Sequence, residues 1–189
     1  PAPGGGSISA YVGALGVSLS GMVANLSAGK RGWENQIAYF SDEAEKAQSL
    51  KNHLLRLVDE DTNAFNMIID AIRLPKGSES EKQARSMAIS DATKNAIEVP
   101  MMIMDVCMKS YVLIKDMAKK GNPNSISDAG VAALCARAAV YGAYLNVKIN
   151  CKDFNDTAYV SKTVTKADKW LTKSDKLEKE ILKIVEKNL

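Results

Sequence analysis

Between Ile8 and Ala28 the chain carries no charged side chain, and glycines (Gly13, Gly16, Gly21) and serines (Ser9, Ser18, Ser20, Ser27) are scattered among modest aliphatic residues. A stretch this apolar must be hidden from water, in a bilayer or in a protein core. Its serines, Asn25 and its shortage of large aliphatics make transfer into lipid weak, so no membrane span is expected. A central helix of a soluble domain fits better. Small residues at this density let neighbouring helices come close on several sides, as in an element buried all round.

The remaining sequence reads as helices separated by turns, with no period-two strand pattern. A long helix is predicted from about Ser41 to Ile72, ending before Pro75 in "RLPKGS". Ser78, with Glu81 three residues on, has the spacing of a capping box, and the helical pattern then runs to Pro100. There the missing N–H predicts a kink or a break before a segment from Met101 to Lys119. "KKGNPNS" is a loop, and Ser125 with Asp128 repeats the capping spacing ahead of a small-residue helix reaching Asn150. The last helix, about Asn155 to Glu186, is lysine-rich with alternating charge signs, the pattern of a solvated outer helix. Short loops between long helices imply antiparallel neighbours. The expected fold is a single all-α domain over residues 1–189, an antiparallel bundle of five or six helices around the buried small-residue helix.

With 46% apolar and 25% charged residues in 189, the composition suits one globular core. A net charge of +3, with both signs well mixed, gives no reason to expect nucleic acid as a partner. Cys107, Cys135 and Cys151 are odd in number, far apart and within helical patterns, so they read as reduced thiols filling apolar space in a cytoplasmic protein. His53 is the only histidine, and "KNHLLR" suggests an exposed helix position. No metal-ligand spacing exists. Chemistry on this chain falls to carboxylates, amides and lysines.

"LVDEDTNAFNMIID" sets three acids in an apolar helix pattern. The stripe Leu50, Leu54, Leu57, Val58, Phe65, Ile68, Ile69 and Ile72, stepped by three or four, passes through position 61, whereas Asp59 and Glu60 fall beside it. Asp61 therefore faces inward. An unpaired ionised carboxylate in an apolar core is too costly to keep, so its surroundings must supply hydrogen bonds or water, or let it hold a proton. Two roles stand open at this point: a structural acid bonded to the end of a neighbouring helix, and a catalytic acid or base.

Further polar features surround that question. Positions 135, 139, 142, 146 and 150 form an inward stripe of Cys, Ala and Gly that ends in Asn146 and Asn150, two carboxamides one turn apart. Such amides can read the donors and acceptors of a polar heterocycle, or bridge helices. Gly4, Gly5, Gly6 and Ser7 lead directly into the uncharged helix, where a glycine turn allows close approach and a helix start offers N–H donors; the same glycines also suit a crowded turn. No "GK[ST]" follows, so this is no Walker loop. Lys30 and Arg31 sit at the helix's other end, where they suit the dipole or could dock carboxylates.

Taken in order, "PGGGSISAYVGALG", "GKR", "LVDEDTNAF", "RLPK" and "GAYLNVKIN" resemble the cyclodeaminase domain of formiminotransferase-cyclodeaminase and its one-domain methenyltetrahydrofolate cyclohydrolase relatives, from Pro3 to about Phe154. The resemblance implies an all-helical homodimer acting on reduced folate, without a tightly bound cofactor. It matches Asp61 to the family's acid/base, and the loop Gly4 to Ser7, Asn146 and Asn150 to the folate cleft. Lys30, Arg31 and Lys76 are then expected to meet the glutamate tail of a folate, polyglutamylated or not. The expected activity is formimidoyltetrahydrofolate cyclodeaminase. The alternatives are methenyltetrahydrofolate cyclohydrolase and, outside enzymes, a folate-binding or helical assembly protein. No transferase segment accompanies the match, so a separate formiminotransferase is the expected supplier of substrate.

Overall fold

The computed structural model of the chain describes residues 3–152 and 154–189, and among them it forms five long helices, two short 3₁₀ turns and no strand. The helices are α1 (Gly5–Ala28), α2 (Ile37–Arg73), α3 (Glu79–Lys120), α4 (Ile126–Cys151) and α5 (Thr157–Asn188). The all-α bundle expected from the sequence is the observed architecture.

Helix α1 is the hub, and its glycines explain how three neighbours reach it. A methyl group placed on Gly13 would lie 2.8 Å from Cys107 Sγ in α3, and 3.3 Å from both Leu54 Cδ1 in α2 and Ala139 Cβ in α4. Gly21 meets Ala47, while Gly16 meets Cys135 and the Ala132 carbonyl. These pairings run in opposite directions, so α2 and α4 flank α1 antiparallel to it. Two buried serines are held by their own helix: Ser9 Oγ donates to the Gly5 carbonyl at 2.7 Å and Ser27 Oγ to that of Val23 at 2.6 Å. The covering is three-sided, not complete. On the fourth side Ile8, Tyr11, Leu15, Met22 and Leu26 are about half exposed. Gly16→Val places a side chain against Cys135 Cβ at 2.8 Å and a backbone oxygen at 2.9 Å. It is expected to destabilise the fold by roughly 1–3 kcal/mol, read as a lower urea midpoint at unchanged slope.

The other helices differ from expectation in instructive places. Ser78 and Glu81 form the capping box that opens α3. At the start of α4, by contrast, Ser125 makes no side-chain cap; Asn122 accepts from the Asn124 N–H, and Pro123 opens a 3₁₀ turn that feeds the helix. Pro100 neither breaks nor ends its helix, and α3 is assigned as one helix of 42 residues. Helix α5 lies outermost on α3 and α4, tied by Tyr111 and Ser174, whose hydroxyls are 2.8 Å apart, and by the Lys115–Glu180 ion pair at 2.7 Å. His53 is half-buried, not exposed. Cys107 and Cys151 are buried and Cys135 half-buried, all as free thiols, and burial pushes the Cys107 thiol up to about 12.

Candidate active site

Helix α1 starts at Gly5, level with Asp61 of α2 and Asn146 of α4, but α2 and α4 both run on past that point. The space beyond the end of α1 is a cavity of about 390 Å³, lined by Gly4, Gly5 and Ser7, by Asp61, Thr62, Ala64, Phe65, Asn66 and Ile68 of α2, by Ala96 of α3, and by Asn146 and Asn150 of α4. It exists because two flanking helices are longer than the one between them.

Asp61 is half-buried at the boundary between helix end and cavity. Its Oδ2 accepts from the Ser7 backbone N–H at 2.7 Å and from Ser7 Oγ at 2.8 Å. Ser7 N–H belongs to the first helical turn, which has no partner inside the helix and sits at the positive end of the dipole. Thr62 Oγ1 stands 3.3 Å from Ser7 Oγ. Gly6 completes the clamp by having no side chain: a methyl there would stand on the carboxylate, closest to Oδ1 and 2.5 Å from Cγ. Both Ser7 donors are thus on Oδ2, and Oδ1 has no donor among the described residues.

The amides opposite are also fixed. Asn146 Nδ2 donates to the Gly142 carbonyl at 2.9 Å, and Asn150 Nδ2 donates to the Ala96 carbonyl at 2.6 Å. Each carboxamide keeps its Oδ1 without a donor among the described residues. Phe65, 52% exposed, gives the rim a flat aromatic side chain that can stack on a planar ring. The cavity thus combines a carboxylate, two carboxamides, first-turn N–H groups and an aromatic wall.

Of the residues singled out in the sequence, the structure brings Gly4, Gly5, Ser7, Asp61, Asn146 and Asn150 together. Gly6 stands behind the carboxylate. Lys30 and Arg31 lie at the opposite end of α1, roughly 35 Å away by helical rise; Lys30 Nζ sits 3.8 Å over the Trp33 ring. Lys76 is exposed in the turn between α2 and α3 and does not line the cavity. Sequence reading missed Thr62, Phe65, Asn66 and Ala96. Thr62 and Asn66 are one turn apart next to Asp61, a polar flank that the spacing could have revealed. Nothing in the sequence near Ala96 marks it.

The comparisons with known proteins show the family. The family model described as "Formiminotransferase-cyclodeaminase" matches residues 1–169. A methenyltetrahydrofolate cyclohydrolase of Methylorubrum extorquens is 37% identical over 185 residues, 98% of this chain and 89% of that protein. A formimidoyltransferase-cyclodeaminase of Mus musculus is 34% identical over 162 residues, and the match spans 86% of this chain but only 30% of the mouse protein. A crystal structure of formiminotetrahydrofolate cyclodeaminase from Thermotoga maritima superposes with a TM-score of 0.79 at 27% identity, covering 100% of this chain and 88% of that one. The chain belongs to the formiminotransferase-cyclodeaminase family.

Proposed function

We propose that the chain is a formimidoyltetrahydrofolate cyclodeaminase, converting 5-formiminotetrahydrofolate to 5,10-methenyltetrahydrofolate and ammonia. The observation that carries this reading is the clamped Asp61, whose Oδ2 is held by Ser7 while the residue lines a cavity large enough for a pteridine. Starting from the amidinium form of the substrate, N10 attacks the amidine carbon and its proton passes to Asp61 Oδ1. The tetrahedral carbon then collapses: Oδ1 returns the proton to the departing NH₂, the C–NH₂ bond breaks, and ammonia leaves the methenyl cation. The charge is the same on both sides. One carboxyl acts as base and then as acid, and proton transfer of this kind contributes roughly 10²- to 10⁴-fold in rate.

A second reading is favoured by the relationship to the Methylorubrum cyclohydrolase. In hydrolysis of the methenyl bridge, Asp61 Oδ1 would take a proton from the attacking water. The two are told apart by supplying each substrate separately and following methenyl absorbance. Appearance with release of ammonia supports cyclodeaminase; loss above the spontaneous rate supports cyclohydrolase. Folate binding without either reaction would make the chain a non-catalytic binder.

The functional unit in this reading is a homodimer. Ile8, Tyr11, Leu15, Met22 and Leu26 of α1 and Val131, Leu134, Tyr141, Leu145 and Ile149 of α4 are 38–63% exposed on adjacent antiparallel helices. Together they offer on the order of 800 Å², the per-partner area of a standard interface. Light scattering is expected to give twice the chain mass, and a monomer at micromolar concentration would refute the dimer.

A further inference from the structure

Pro100 lies inside α3 and is buried, where proline removes one helical hydrogen bond. The carbonyl its missing N–H would have served belongs to Ala96, four residues earlier. That oxygen does not go without a donor: Asn150 Nδ2, from α4, reaches it at 2.6 Å. Ala96 and Asn150 both line the cavity. Because a carbonyl only accepts, the Asn150 atom facing it must be the NH₂ group, which settles the orientation of the amide and turns Oδ1 away from α3. Asn146, one turn earlier, is fixed by donating Nδ2 to the Gly142 carbonyl of its own helix at 2.9 Å. Asp61, Asn146 and Asn150 all line the cavity, a set that suits a ligand edge rich in N–H donors.

We propose that Pro100 is a positioning residue: by vacating the Ala96 carbonyl it holds Asn150 with Oδ1 in the cavity, where Asn150 and Asn146 bind the N–H edge of the pteridine. The inference rests on the folate reading above for the identity of the ligand, but the Pro100–Asn150 link stands on geometry alone. In Pro100→Ala the N–H of residue 100 competes for the Ala96 oxygen and draws it back toward the helix axis. The variant is better suited to a helix than the parent, so it folds.

The test uses the full chain. Pro100→Ala is expected to raise the thermal midpoint, to raise KM about tenfold with kcat changed less than twofold, and to move the Asn150 side-chain amide signal in an NMR spectrum, assigned through Asn150→Leu. Asn150→Leu is expected to raise KM similarly, and the double variant to be no worse than either single one. A proline of purely structural consequence would change the thermal midpoint alone. An unshifted Asn150 amide signal, a parental KM in Pro100→Ala, or additive effects in the double variant would overturn the proposal. If the unaltered chain turned over and bound neither folate, the folate reading and the pteridine assignment would fall together. The amide signal would still decide whether Pro100 positions Asn150.

Discussion

Asp61→Asn is expected to cut turnover roughly 10²- to 10⁴-fold while leaving the fold and folate binding in place. The reason lies in how the clamp treats the two oxygens. Ser7 offers two donors at 2.7 and 2.8 Å, so the carbonyl oxygen of an asparagine takes the Oδ2 position and its NH₂ group falls where Oδ1 was. Size and hydrogen bonding to Ser7 are kept. What is lost is an atom that can accept a proton and give it back. Circular dichroism and a thermal melt check the fold, ligand titration checks binding, and the methenyl assay reads the chemistry. Turnover within a factor of two of the parent would remove Asp61 from the reaction.

Gly6→Ala is expected to lower turnover by about 10²-fold or more without removing any reactive group, because misplacement of a catalytic atom by about 1 Å can cost that much. The added methyl would stand on the carboxylate, and the neighbouring backbone of α1 cannot retreat, since α2, α3 and α4 already meet that helix closely at Gly13. Asp61 must swing toward the cavity and give up Ser7. Alanine is also the better helix former, and the displaced carboxylate reaches space already open to solvent, so the thermal midpoint should hold. Combining Gly6→Ala with Asp61→Asn should add little to the loss from Asp61→Asn alone, since both act on one oxygen. A Gly6→Ala protein with parental kcat would show that the clamp does not matter.

The sequence carried much of this, and its failures are physical. The inward facing of Asp61 was legible because Leu54 and Leu57, a turn or two before it, are fully buried. The same stripe also predicted that Phe65 and Ile72 face the core, yet they are 52% and 46% exposed. Periodicity along α2 cannot reveal that α1 stops at Gly5. Beyond that level the stripe loses α1 as a partner, and the mismatch in helix length becomes the cavity. Asn146 and Asn150 line the cavity as the polar end of a small-residue stripe, a placement the spacing also predicts. Their orientation was not legible, because it depends on the carbonyls of Gly142 and Ala96, and the second comes from another helix. Local grounds predict a kink or a break at Pro100; the long-range contact from Asn150 occupies the carbonyl that the proline leaves without a donor. Lys30 and Arg31 stand out by charge, which does not show that they lie at the opposite end of α1 from the cavity.

A crystal structure of the chain with a bound reduced folate, or a stable analogue of one, addresses the central claim most directly. The expected result puts the nitrogen that closes the one-carbon bridge within about 3 Å of Asp61 Oδ1, or one water away, with Ser7 still on Oδ2. A pteridine bound elsewhere, or one whose reacting nitrogen lies on the far side of the cavity out of reach of Asp61, would contradict it.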